Sequence, residues 1–178
     1  MPGQFGVGSV LGVEPVIHLI EAHLRSSGSV VLSEEIVNAY NSVSRHEIYK
    51  ELLAMRSPLA RFFQWAYGGA TRLVVRCKYG DITVQRSSQG VRQGDPLAGL
   101  LFSYGMKRAM ESLARRIKLV DKMVQIIAYL DNLYILTKSH TLSKAKTSLA
   151  AVFKPSFSTM TFRSAAVFRF ARKARKSS

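Results

Sequence analysis

The run from Ala128 to Leu136, Ala-Tyr-Leu-Asp-Asn-Leu-Tyr-Ile-Leu, constrains this chain most. Two apolar, strand-forming stretches, Met123 to Tyr129 and Leu133 to Thr137, flank the polar pair Asp131-Asn132. Such a pattern predicts a β-hairpin whose two-residue turn is Asp131-Asn132. A hairpin tip is a place where acidic side chains can meet metal ions. The second tip position is Asn, where two-metal chemistry favours another carboxylate.

The rest of the chain predicts a mixture of helices and hairpins. Val16, Ile17, Ile20 and Leu24 fall on one face of a helix from Glu14 to Arg25, and Gly28 ends that unit. Val30-Val31-Leu32 is the buried run of a strand over Ser29 to Glu34. Ser44-Arg45-His46-Glu47 has capping-box form, so a helix is expected from about Arg45 to Met55. A short helix, Leu59 to Tyr67, runs up to Gly68-Gly69. Thr71 to Lys78 and Ile82 to Arg86 read as a second hairpin. The polar loop Ser87 to Asp95 leads through Pro96 into an amphipathic helix that ends near Arg116. A last helix covers Leu142 to Phe153. This order implies an α+β domain, a largely antiparallel sheet flanked by helices, over 1–153. From Thr161 to Ser178 there are six Lys or Arg and no acid. Residues 154–178 therefore read as a basic tail, poorly ordered or a short helix, and not as a second domain.

Charge narrows the function. There are 26 Lys and Arg against 11 Asp and Glu, a net charge of +15, which favours a polyanionic partner such as nucleic acid. The single Cys77 rules out an internal disulfide and a Cys-based zinc site, and reads as a buried, inert thiol. No apolar run approaches the roughly 18 residues of a membrane span, and the start lacks signal-peptide order. An intracellular protein, nuclear or cytoplasmic, is expected. The four histidines show no metal-ligand spacing. Trp65 is expected as a core aromatic at helical spacing, and Asp95 as a helix-start residue.

Three segments stand out together. A strand ends in Glu34-Glu35, followed by Asn38-Ala39-Tyr40-Asn41-Ser42-Val43-Ser44-Arg45. Gln89-Gly-Val-Arg-Gln-Gly-Asp-Pro-Leu97 runs into Leu100-Leu101-Phe102. Tyr129-Leu130-Asp131-Asn132 is the third. In this order they resemble the reverse transcriptases of non-LTR retroelements, from about Phe5 to about Leu149. Gly6-Val7-Gly8, Gly12-Val13-Glu14 and His18 are similar to a fingers-side segment of the same family.

The resemblance implies a palm with partial fingers and no thumb. It implies RNA-directed DNA synthesis on an RNA template and a DNA primer, from deoxynucleoside triphosphates. Its cofactor would be Mg²⁺ (or Mn²⁺), because two-metal nucleotidyl transfer needs hard cations on oxygen ligands. Glu35 and Asp131 would be the metal carboxylates, Ile36 would lend its carbonyl, and Asn132 would complete the catalytic group. Tyr40 would sit under the nucleotide sugar, crowding a 2′-hydroxyl. Gly90, Arg92, Gln93, Gly94 and Tyr129 would meet nucleotide and template. Two positions depart from the family pattern. Glu35 stands where Asp is usual, one methylene longer, and Asn132 replaces the second hairpin acid. With the short ends, which read as a truncated or frame-altered copy, these imply weak or lost turnover. A non-catalytic nucleic-acid-binding remnant is the alternative.

Overall fold

The computed structural model describes residues 3–8, 12–76, 78, 80, 82–154 and 162–169. Its centre is β1, Ser29–Ile36. Only Glu35 among its residues escapes full burial, because β1 has a strand on each side and apolar cover on both faces. β5, Asn132–Lys138, and β4, Gln125–Tyr129, extend the sheet on one side. β6, Phe162–Arg169, extends it on the other, giving the antiparallel order β4-β5-β1-β6.

β6 corrects the expectation of a poorly ordered tail over this stretch; residues 155–161 and 170–178 lie outside the described residues. The β1–β6 register runs Ser33↔Ala166, then Glu34↔Ser164, so one β6 residue is left unpaired between them. Such a bulge flips the phase of side-chain alternation midway. A strand with a phase flip shows no clean period in sequence.

Helices cover the sheet on both faces. α1, Val13–Leu24, packs Val16 on Val31, Ile127 and Leu136 on one sheet face. The opposite face belongs to the main core. There Leu32, Leu133 and Ile135 meet Ile48 and Leu52 of α3 (Arg45–Ala54), Met106 and Leu113 of α5 (Ala98–Lys118), and Leu149 and Phe153 of α6 (Leu142–Phe153). Ser44 caps α3 as expected, its Oγ accepting the Glu47 N–H at 3.3 Å. The Glu47 carboxylate turns to Lys50, 3.2 Å away, and not back to the cap.

α4, Leu59–Tyr67, buries Ala60, Phe63 and Tyr67. Trp65 sits two residues, about 200°, round the helix from Phe63 and is 82% exposed. The expected core role of Trp65 is therefore overturned. Among the described residues β2 (Thr71–Arg76) and β3 (Ile82–Ser87) pair only with each other, as a ribbon exposed on both faces. Cys77 lies outside the described residues.

Candidate active site

The site begins with a register. Glu35 of β1 lies opposite Asn132, and Asn132 lies opposite Tyr129. Paired residues share a face, so Tyr129, Asn132 and Glu35 form one row across three strands. The row lies on the α1 side. Glu34 pairs with Leu133 on the core side and is buried, as strand alternation requires.

The hairpin turn is one residue earlier than expected. Leu130 and Asp131 form the tip, and Asn132 is already the first residue of β5. Leu130 takes φ 54°, which costs a side-chain-bearing residue roughly 1–2 kcal/mol. The cause is a residue 126 positions away. Gln4, 5% exposed, accepts the Leu130 N–H on Oε1 at 3.0 Å and donates Nε2–H to the Leu130 carbonyl at 3.4 Å. Gln4 also accepts the Gly6 N–H at 2.8 Å. Backbone bonds from Ala128 N to Gly3 O, 2.6 Å, and from Phe5 N to Ala128 O, 2.8 Å, lay this segment along β4. A Cβ on Gly6 would come within 2.7 Å of Leu130 Cγ, so only glycine fits. Polar turn propensity favoured Asp-Asn; the Gln4 clamp decides otherwise. An isolated Gln in a Gly-rich stretch gave no signal of this role.

With the turn so placed, the Asp131 carbonyl accepts the Ile36 N–H at 3.1 Å. The end of β1 is thereby tied to the acid-bearing tip. Beyond it, Asn38 at φ 52° turns the chain into the short helix α2, Ala39–Ser42, which carries Tyr40. The Tyr40 ring stacks on Phe102, centroids 4.6 Å apart and planes 12° apart. Burial raises the Tyr40 pKa, and the negative charge of Asp131 raises it further. Tyr40 is thus both a half-buried packing residue and a neighbour of the hairpin acid.

The loop before α5 docks on the same segment. Val91 N–H donates to Tyr40 O at 2.7 Å, and Gly90 N–H to Val43 O at 3.0 Å. Gly90 has φ +71°, and a Cβ there would fall 2.4 Å from the Asn41 carbonyl oxygen. Arg45 fastens the loop, with Nε 2.8 Å from Gly90 O and Nη1 3.1 Å from Ser87 O. Arg92 does not reach the carboxylates. Its guanidinium lies over the Tyr67 ring, 5.0 Å from the centroid, and donates to Ala66 O at 2.9 Å. Tyr67 in turn donates a short hydrogen bond to Asp95. Burial raises the Tyr67 pKa, and that bond adds to the effect. Asp95 starts α5 as expected, accepting the Leu97 N–H at 2.8 Å. Gln93 and Gly94 stand exposed, with open space around Gly94.

The donor set is two carboxylates and an amide. Among the described residues no group of three His, Cys, Asp or Glu is arranged to hold a metal. Asp131, Glu35, the Asn132 amide and nearby backbone oxygens are all hard oxygen donors, which suits Mg²⁺. A residue not anticipated from sequence joins the row: Arg163 of β6 lies opposite Glu35 and is exposed. The bulge that hid β6 hid Arg163 with it. His23 takes no part; its Nε2 sits 3.2 Å from Val30 O and 3.0 Å from Thr137 O.

An antiparallel sheet whose central strand ends in an acid, set against an acid-bearing hairpin tip and a buttressed aromatic, is a nucleotide-polymerase palm. Residues 9–157 match the family described as reverse transcriptase (RNA-dependent DNA polymerase), and the chain belongs to that family. Over 97 residues it is 34% identical to the Pol polyprotein of the type-1 retrotransposable element R2 of Nasonia vitripennis, covering 52% of this chain and 9% of that protein. Its fold is similar to telomerase of Candida albicans (TM-score 0.67, 11% identity, 96% of this chain and 32% of that one). It is likewise similar to telomerase of Candida tropicalis (TM-score 0.65, 13% identity, 97% and 31%). At these identities the likeness is one of fold. The chain spans about a tenth of the curated relative and about a third of the telomerase chains.

Proposed function

We propose that this chain is the palm region of a non-LTR retroelement polymerase that adds deoxynucleotides to a DNA primer on an RNA template, with low turnover. The observation that carries this reading is the juxtaposition of Glu35 with the hairpin tip, through the Glu35↔Asn132 register and the Ile36–Asp131 bond. Glu35 and Asp131 would hold Mg²⁺, with the Ile36 carbonyl and the Asn132 amide as neutral donors. Divalent cations supply activation of the primer oxygen and neutralisation of triphosphate charge. Tyr40, stiffened by Phe102, would press on the sugar and disfavour a 2′-hydroxyl. Gly90 would let backbone approach the incoming nucleotide. Tyr129, Gln93 and Gly94 would border the template and nucleotide. Arg92 would act by shaping the loop through Tyr67.

Low turnover follows from two changes. The extra methylene of Glu35 displaces its carboxylate by about 1 Å, which can cost on the order of a hundredfold. Asn132 removes one negative charge from the metal site. Primer extension on poly-rA/oligo-dT with Mg²⁺ or Mn²⁺ tests the reading. Weak extension that disappears in Asp131→Ala is expected; extension that survives the substitution would sink it.

A second reading, nucleic-acid binding without turnover, draws on the β2–β3 ribbon. Arg72 stands directly opposite Arg86, with Arg76, Val74, Val84 and Ile82 on the same exposed face. Facing like charges are unfavourable unless an anion joins them. This reading expects RNA affinity to fall steeply with salt and to ignore Asp131→Ala. A flat salt response would rule it out.

A further inference from the structure

The opposite end of β1 carries a cavity that the polymerase reading leaves unused. Its volume is about 430 Å³, and Arg25, Ser26, Ser27, Ser29, Ser139 and Arg169 line it. It lies where the α1–β1 loop, the turn after β5 and the end of β6 converge. Ser29 and Glu35 are six residues apart on one strand, roughly 20 Å, so an occupant here would not be the reacting nucleotide.

The walls are held in place by bonds within the protein. Ser139 N–H donates to Gly28 O at 2.9 Å. Lys138 Nζ reaches Ser27 O and Ser29 Oγ, both at 3.1 Å, which brings a third cation to the rim on neutral acceptors. Among the described residues no carboxylate lines the cavity. Among the described residues neither Arg25 nor Arg169 takes part in an ion pair. Guanidinium forks and hydroxyls around one space form the donor set that recognises phosphate oxygens.

We infer that this cavity binds a phosphate group, separately from the Asp131 centre. The group could belong to a nucleic-acid backbone or to a phosphomonoester. Two titrations of the full chain, followed by amide NMR, separate these sources. One uses inorganic phosphate, the other a single-stranded oligonucleotide without terminal phosphates. Shifts at Ser26 to Ser29 and Ser139 are expected. Shifts with phosphate alone assign a phosphomonoester; shifts with the oligonucleotide assign a backbone phosphodiester. Both arginines are exposed, so Arg25→Gln/Arg169→Gln should keep the fold and weaken binding at least tenfold. With the oligonucleotide, that double variant should also lower the slope of log K against log salt by roughly 0.7, the contribution of one phosphate on a single strand. No shift at these residues with either ligand, or equal binding by wild type and double variant, would overturn the inference.

Discussion

Two glutamates on neighbouring elements are treated in opposite ways. Glu51 on α3 is buried, its side chain 5% exposed, and receives Lys107 and Arg108 of α5, the latter at 3.1 Å. Burial alone would raise its pKa, but the hydrogen bonds from the two cations outweigh that and leave it below the ordinary value. Asp121 is handled similarly. Desolvation is overcome by Thr137 Oγ1 at 2.6 Å and the amides of Lys138 and Met123. Glu35, by contrast, is half-buried at the open end of β1, and with Asp131 it forms no ion pair among the described residues. Acids that hold the fold are matched by groups of the protein. The acids of the proposed centre have no such match among the described residues.

The matched acid should give the largest effect on stability. Glu51→Ala strands two cations against α3, and breaking such a pair costs on the order of 3 kcal/mol. Denaturant unfolding would show it as a lower midpoint with an unchanged slope. The pH dependence has a definite sign. Glu51 and Asp121 have folded pKa values below their ordinary 4.5 and 3.8. Their contribution is complete above those ordinary values and is lost as pH falls through the depressed folded ones. Wild type should therefore lose stability on acidification below about pH 4.5, and Glu51→Ala should lose less of it. A variant as stable as wild type would break the contrast.

The unmatched acids should respond the other way. Asn132→Asp sets a carboxylate directly opposite Glu35 and, without divalent cations, should destabilise by up to about 1 kcal/mol. Adding Mg²⁺ should recover that loss and raise the Tm above wild type, because the ion binds only the folded site. The same variant should extend primers faster. Asp131→Asn removes repulsion and should be neutral or stabilising by about 0.5 kcal/mol while losing extension. Insensitivity of the Asn132→Asp Tm to Mg²⁺ would mean that these oxygens do not converge on one ion.

The same division governs what could be read from sequence. Local signals sufficed for the α3 cap, the start of α5 at Asp95 and both hairpins. Each depends on residues close in the chain or on a motif with fixed spacing. The shift of the turn to Leu130-Asp131 depends on Gln4, 126 positions away, and no propensity contains that. β6 was masked by its own bulge opposite Ser33/Glu34. Trp65 was legible but misjudged: with Ala60, Phe63 and Tyr67 as the apolar stripe, position 65 faces outward. Arg92, which the resemblance sets against nucleotide and template, also lies over Tyr67, an aromatic on a separate helix that loop spacing does not reveal.

Arg163 is the residue on which the comparison could fail, and it carries the smallest expected effect. It stands opposite Glu35 across β1 and β6. Were it a true partner, Glu35 would be a second Glu51, a fold-holding acid with its own cation. Arg163 is exposed and Glu35 half-buried, so water screens the pair, and exposed pairs contribute at most about 1 kcal/mol. Arg163→Ala should therefore change stability by less than about 0.5 kcal/mol. A double-mutant cycle with Glu35→Gln should give a coupling within the same limit. A coupling of 2 kcal/mol or more would assign Glu35 to the fold and leave Asp131 as the single carboxylate open to a metal. Near-zero coupling keeps Glu35 unmatched, and the side chain then remains free to turn toward the hairpin tip.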